Sequence, residues 1–134
     1  FQMTTPGAPG LYYGDELPLT GGEDPDCRRT FDWDRIGSDH HLAVQGLGQL
    51  RRDHEALRTG SITVLPVVDQ CVSYVRSGEN ENLFVAINNG ATTVELGVDP
   101  GHHPGEILWS HGKVDVGRGV VEVGPHAAIV GVSE

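Results

Sequence analysis

The chain has 134 residues, including 19 glycines and 8 prolines, and a formal net charge of −10 at pH 7. Its length suits one ordinary domain and is too short for a complete (β/α)8 barrel, which needs about 250 residues. The acidic balance argues against nucleic acid and anionic membranes as partners, because both attract a basic surface, and it is compatible with a neutral partner such as a sugar.

The two cysteines, Cys27 and Cys71, are too few for a disulfide framework. Free thiols in a reducing compartment are the simpler interpretation, which favours the cytoplasm, although a single bridge stays open. No apolar run approaches the roughly 18 residues of a membrane span. The chain begins at Phe1 rather than Met, so we expect the true start to lie upstream.

Residues 1–36 are rich in proline and glycine and contain one apolar core, Leu11-Tyr12-Tyr13, between Gly10 and Gly14. Aromatic residues bounded by glycines favour a short strand. The following stretch, Thr20–Asp34, is dense in Gly, Asp and Arg and has no periodicity. It predicts a long loop, and such loops are usually functional or disordered.

Residues 39–58 predict a helix, because apolar side chains recur there at steps of three and four. Ser38 or Asp39 can accept a hydrogen bond from a free amide at the helix start. Gly60 can end the helix in the left-handed conformation.

From Ser61 onward, short apolar runs alternate with turn signals such as Ser77–Asn80 and Asn89-Gly90. The predicted strands are Ile62–Leu65, Cys71–Arg76, Asn82–Asn88, Thr92–Val98, Glu106–Trp109, Gly119–Val123 and Ala127–Val132. The spacing predicts an α+β chain that is mainly β: an antiparallel β-sandwich of seven or eight strands, preceded by one helix and a loop-rich arm.

Five segments carry a resemblance to glycoside hydrolase family 13, the α-amylase family. Pro6–Glu16 resembles its PGxPxxYYGDE segment, and Leu50–Gly60 is similar to LRREHPALRRG at the end of its eighth barrel helix. Gly21–Arg29 resembles the GGNDPDCRR loop of the neopullulanase, cyclomaltodextrinase and maltogenic amylase branch, and Phe31–Asp34 is similar to the FPWD that follows. Leu83–Asn89 resembles LVALNN of the C-terminal sandwich.

The resemblance implies that residues 1–60 are the last strand, loop and helix of a catalytic barrel, and that 61–134 form the C-terminal sandwich. The intact parent would cleave or transfer α-1,4 and α-1,6 glucosidic bonds with retention. Family members use an Asp, a Glu and a second Asp from earlier barrel strands. All three would lie upstream of Phe1, so we expect no catalytic residue here, a structural role, and no activity from the isolated chain.

The resemblance also implies that Asp24 and Arg28 bind glucose units away from the cleavage point. A carboxylate accepts hydrogen bonds from sugar hydroxyls, and a guanidinium donates several in fixed geometry. The alternative is a local ion pair that shapes the loop. Asp15 and Glu16 are not expected to act as a catalytic pair, because adjacent strand residues point to opposite faces.

No cofactor or metal site is expected. The pairs His40-His41 and His102-His103 lack further ligands at metal-site spacing, so solvated or capping roles are favoured. The two tryptophans, Trp33 and Trp109, are expected to be packed or half-buried.

Two further hypotheses concern partners. A stand-alone carbohydrate-binding or protein-interaction module is the alternative to the enzyme fragment, and it would need an exposed aromatic platform on the sandwich, for which Tyr74 and Trp109 are the candidates. An unpaired strand at Leu11–Tyr13 would expose apolar side chains and free backbone groups. We expect the arm either to fold back on the helix at 39–58 and the sandwich or to pair with a second copy of the chain, and we favour the homo-oligomer.

Overall fold

The computed structural model describes residues 1–133 and contains two α-helices and eight strands. Short 3-10 turns lie at Trp33–Arg35 and Pro100–His102. The helices are α1 (Asp39–Asp53) and α2 (Glu55–Arg58). The strands are β1 (Ser61–Val64), β2 (Cys71–Ser77), β3 (Asn82–Asn88), β4 (Val94–Gly97), β5 (Pro104–His111), β6 (Val114–Gly117), β7 (Val120–Val123) and β8 (Ala128–Ser133).

The strands form two antiparallel sheets, one with the order β1-β2-β3-β8-β5 and one with the order β4-β7-β6. Alternate residues of β3 face opposite sides. Phe84 and Ala86 join the apolar cluster that includes residues of the small sheet, whereas Leu83 and Val85 join the cluster that includes residues of the helices. The five-stranded sheet is therefore the middle of three layers, and the predicted mainly-β sandwich with a helix beside it is confirmed.

The predicted helix forms, with a break at His54. The Ser38 hydroxyl accepts a hydrogen bond from the amide of His41 (3.4 Å) at the start of α1, as expected of an N-cap. At the break, Glu81 accepts hydrogen bonds from the Ala56 amide (3.1 Å) and from Nδ1 of His54 (2.7 Å). The break therefore has its own capping side chain, supplied by the turn between β2 and β3.

Gly60 follows the helix but does not end it in the left-handed conformation, so that prediction is wrong. Its φ is not positive, and Thr59, the C-cap of α2, lies in the right-handed region with φ −117° and ψ −12°. A Cβ at Gly60 would lie 2.4 Å from the carbonyl oxygen of Ala56 and 2.7 Å from that of Ser77. Glycine is required there because two backbone segments pass too close for any side chain.

Seven of the eight strands lie where the apolar runs predict them, with ends shifted by up to two residues at either end. The strand missed is β6, a four-residue strand with a charged residue and a terminal glycine. Asn89-Gly90 is a turn, but it joins β3 to β4 in the other sheet instead of closing a hairpin. Buried Asn88 holds this crossing, because its side-chain amide donates to the carbonyls of Thr92, Val123 and Gly124 at 2.8–3.0 Å.

The predicted strand at Leu11–Tyr13 does not form, and this interpretation is corrected. Leu11 and Tyr12 have no regular secondary structure, and turns begin at Tyr13. The amide of Asp15 donates to the Tyr12 carbonyl (3.0 Å), and the amide of Leu17 donates to the Gly14 carbonyl (3.0 Å). A strand needs a neighbour to satisfy its backbone groups, and no other segment of residues 1–133 pairs with this one.

No helix among residues 1–133 has the length and apolar character that crossing a membrane requires.

Candidate functional site

The loop Thr20–Asp34 places Asp24 and Arg28 side by side at the surface. Nη2 of Arg28 donates to Oδ2 of Asp24 at 2.9 Å. The side chains are 75% (Arg28) and 60% (Asp24) exposed. The two predicted site residues therefore meet in the folded loop, and the ion pair that was the alternative interpretation is present.

A second ion pair in the same loop, Asp26 with Arg29, was not singled out from the sequence. Nε and Nη2 of Arg29 donate to Oδ1 of Asp26 at 3.0 and 2.8 Å, and Nη2 also lies 2.8 Å from Oδ2. Asp26 additionally accepts the backbone amide of Gly22 at 2.8 Å. The Gly22 amide, and then Arg29, hold the pKa of the Asp26 carboxyl below its usual range. The signal in the sequence is the acid–arginine spacing of three residues.

The two pairs have different tasks. Asp26 connects the two ends of the turn through Gly22 and Arg29. Glycine is needed at position 21, because a Cβ there would lie only 2.7 Å from the Cα of Cys27. The side chains of Asp24 and Arg28 make one hydrogen bond to each other and none to the loop backbone. Arg28 keeps further N–H groups free, and Asp24 keeps acceptor sites free. The loop is therefore shaped by Asp26 and Arg29, which leaves the exposed pair available for a ligand.

The adjacent acids Asp15 and Glu16 act as local acceptors. Oδ2 of Asp15 accepts the amide of Tyr12 (3.0 Å), and Oε2 of Glu16 accepts the amide of Gly14 (3.0 Å). Both carboxylates thus stabilise the turns that replace the predicted strand.

The two tryptophans differ in their exposure, although both were expected to be packed or half-buried. Trp33 is 72% exposed and contacts Phe31 with ring centroids 4.8 Å apart, so the prediction of a packed Trp33 is wrong. Trp109 is half-buried against the helix-side cluster, as predicted. Tyr74 is only 1% exposed and its hydroxyl lies 2.6 Å from that of Thr4. Burial raises the pKa of Tyr74. Tyr74 cannot be a sugar platform on the sandwich, which weakens the binding-module hypothesis.

Three of the paired histidines contact backbone groups. Nε2 of His40 lies 3.0 Å from the Asp15 carbonyl, Nδ1 of His41 accepts the Gly37 amide at 3.1 Å, and Nε2 of His103 lies 2.6 Å from the carbonyl of Gly117. Within residues 1–133 no three His, Cys, Asp or Glu side chains are grouped to hold a metal ion. These histidines therefore have local structural contacts.

The two thiols are free and differ in their surroundings. Cys27 is exposed in the loop, and Cys71 is buried between the sheets. Burial raises the pKa of the Cys71 thiol, so this side chain behaves as a small apolar core residue. The single bridge left open by the sequence is absent from the described residues.

Curated relatives match most of this chain. A cyclomaltodextrinase from Bacillus sp. is 37% identical over 111 residues, which are 80% of this chain and 20% of that protein. A maltogenic α-amylase from Bacillus acidopullulyticus is 33% identical over 125 residues, 87% of this chain and 21% of that protein. The chain thus spans about a fifth of the length of these curated relatives. No family model matches the chain.

Solved structures agree with the sequence matches. A debranching enzyme from Nostoc punctiforme superposes with a TM-score of 0.86 at 28% identity, covering 99% of this chain and 29% of that one. An Anoxybacillus α-amylase superposes with a TM-score of 0.80 at 29% identity, covering 99% of this chain and 31% of that one. Sequence and structure lead to the same assignment: the chain belongs to the α-amylase family, glycoside hydrolase family 13, of whose members it matches a C-terminal stretch.

Proposed function

We propose that this chain is the C-terminal part of an enzyme that hydrolyses or transfers α-1,4 or α-1,6 glucosidic bonds in α-glucans with retention, and that its own role there is accessory. The observation that carries the proposal is the agreement of a cyclomaltodextrinase match over 80% of the chain with a debranching-enzyme superposition over 99% of it. The accessory role is supported by Asp15 and Glu16, whose carboxylates are engaged by backbone amides.

The proposal divides the chain at the turn after α2. Residues 1–60 would be the end of the catalytic barrel, and 61–134 the C-terminal sandwich domain. The support is that α2 ends at Arg58 and that β1, the first strand of the large sheet, begins at Ser61. The helices cover one face of this sheet through buried Leu57. In the whole enzyme, the sandwich would then shield an apolar flank of the barrel's last helix.

Within that enzyme, Asp24 and Arg28 are proposed to bind glucose units of the substrate. Their exposure and their single mutual hydrogen bond support this role, because a sugar can use the remaining donors and acceptors without unfolding the loop. A hydrogen bond to a charged group contributes about 1.5–3 kcal/mol. Loss of either side chain should therefore lower kcat/KM on long oligosaccharides by roughly tenfold to a hundredfold.

The test uses the intact enzyme that contains this stretch, with Asp24→Ala and Arg28→Ala assayed on maltoheptaose. Asp26→Ala is the matched control. It also removes a carboxylate from this loop, but one whose contacts shape the loop backbone. We expect the first two variants to lose activity on maltoheptaose while their thermal unfolding is unchanged, and Asp26→Ala to lower loop stability together with activity. Unchanged kinetics in both Asp24→Ala and Arg28→Ala would reject the proposed contact.

We also propose that, in the isolated chain without the rest of the barrel, the arm pairs with a second copy of the chain. Leu11, Tyr12 and Tyr13 are exposed even though they are large and apolar or aromatic. Each such side chain gains about 1.5–3 kcal/mol when it leaves water, which favours an intermolecular contact. Light scattering on the whole chain and on a version that begins at Ser38 measures this directly.

A further inference from the structure

Two arginines under the arm are buried and have no acidic partner. Arg76 on β2 is fully buried and Arg51 on α1 nearly so. Within residues 1–133 neither side chain forms an ion pair with a carboxylate. Burial lowers the pKa of Arg76, and the nearby charge of Arg51 lowers it further. An isolated buried charge is costly, so hydrogen bonds must compensate it.

The Arg76 guanidinium is satisfied entirely by backbone carbonyls. Nη1 donates to Thr4 at 2.6 Å and to Leu57 at 3.1 Å. Nη2 donates to Gly60 at 2.8 Å, and Nε donates to Ser61 at 3.3 Å. One side chain therefore joins the arm, the end of α2 and the start of β1.

The side-chain hydrogen bonds of Arg51 all go to the arm. Nη1 donates to the carbonyls of Met3 (2.9 Å) and Thr5 (3.1 Å), and Nη2 donates to the carbonyl of Gly7. Together with Arg76, it binds the carbonyls of four of the five residues from Met3 to Gly7.

The same stretch of the arm is buried, in contrast to the segment that follows. Met3 and Thr4 are buried, and the Thr4 hydroxyl contacts that of Tyr74. Leu11–Tyr13, only a few residues later, are exposed. The arm is thus buried at its base and exposed along its aromatic segment.

We propose that Arg51 on α1 and Arg76 on β2 form an anchor that binds the backbone of Met3–Gly7. The anchor holds the base of the arm, and the arm carries Asp24 and Arg28 further along the chain. A guanidinium presents five donors in a planar fork and can bridge several carbonyls, whereas a lysine has one nitrogen. Anchoring itself does not depend on sugar binding; its use in placing the Asp24–Arg28 loop rests on the proposed function.

The test is amide hydrogen exchange on the whole chain without sugar, so its outcome is independent of glucan binding. Arg51→Met is the first variant, because every side-chain hydrogen bond of Arg51 goes to the arm. The reporters are the amides of Thr4 and Thr5, which donate to the Phe1 carbonyl. We expect their exchange to accelerate on the order of tenfold to a hundredfold, while the amide of Val85 in β3 is unchanged.

Arg118→Met is the matched control, because Arg118 is exposed on the sandwich, and it should alter neither set of amides. Arg51→Lys keeps the charge and loses the fork, so it should accelerate Thr4 and Thr5 as well, and it decides the question if Arg51→Met does not fold. Arg76→Met should release the arm and also the amide of Gly60. Unchanged exchange at Thr4 and Thr5 in the Arg51 variants, or an equal acceleration at Val85, would overturn the anchor.

Discussion

Replacing Leu57 by alanine should destabilise the chain strongly, because Leu57 of α2 is fully buried against the large sheet. The substitution removes three carbon atoms, and each buried methylene is worth about 0.8 kcal/mol, which gives about 2.4 kcal/mol. The cavity that remains adds to this, and buried Leu→Ala changes cost about 2–5 kcal/mol in total. We expect a loss of about 3 kcal/mol in the free energy of unfolding.

The assay is equilibrium unfolding in urea followed by far-ultraviolet circular dichroism. With a slope of about 1.5 kcal/mol per molar urea, a loss of about 3 kcal/mol lowers the midpoint by about 2 M. The matched control is Leu42→Ala on α1, where the leucine is 52% exposed. It should change the free energy of unfolding by less than about 0.5 kcal/mol. Equal effects of the two substitutions would refute the packing of α2 on the sheet.

Four other predictions follow from separate features. Gly60→Ala should cost about 1–3 kcal/mol, measured by thermal unfolding, because its Cβ would clash with two backbone carbonyls. Because the pKa of the Asp26 carboxyl is lowered in the folded loop, its ionised form should stabilise the loop at pH values above the usual Asp pKa of about 3.9, and this stabilisation should be lost as the pH falls below that value. Arg29→Gln should raise the titration midpoint of Asp26, which is measured from the chemical shift of the Gly22 amide. The isolated chain should release no reducing sugar from maltodextrin, cyclodextrin or pullulan, and turnover lost on Asp15→Asn would contradict this. The whole chain should be larger than a monomer in light scattering, and the version starting at Ser38 should be monomeric; monomers in both cases, with equal solubility, would exclude pairing through the arm.

The parts of the fold that local pattern determines were predictable. Apolar side chains fill the interior of Asn82–Asn88, and turns bound the segment on both sides. The predicted strand therefore has the same first and last residues as β3. The cap of α1 by Ser38 was predictable because the hydroxyl accepts a hydrogen bond from an amide only three residues further along the chain. β6 escaped prediction because Val114–Gly117 has two valines and a terminal glycine, and it forms through its pairing with β7.

Features that depend on distant segments were not predictable. Leu11–Tyr13 has strand-like composition, but a strand requires a neighbour, and none of residues 1–133 supplies one. Gly60 was the correct residue for the wrong reason, since its constraint comes from the carbonyl of Ser77 across the fold. From the sequence alone, Arg76 is indistinguishable from an ordinary surface charge. The carbonyls that surround it come from distant segments and are brought together only by folding.

The site was predictable only through similarity. The motif around Asp24 and Arg28 indicated sugar contacts, and the structure adds the distinction between this exposed pair and the loop-shaping pair of Asp26 and Arg29. Sugar binding by Asp24 and Arg28, the domain boundary at residue 60 and a cytoplasmic location stay predictions.

The most direct test of the central claim is the size and sequence of the protein that carries this stretch in its source cells. Immunoprecipitation with an antibody against the sandwich, followed by intact-mass and peptide mass spectrometry, measures both. We expect a protein longer by at least the roughly 250 residues of a barrel, with upstream peptides that contain a catalytic Asp and Glu. A mature protein of only these 134 residues would contradict the proposal that this chain is part of a larger glucan-acting enzyme.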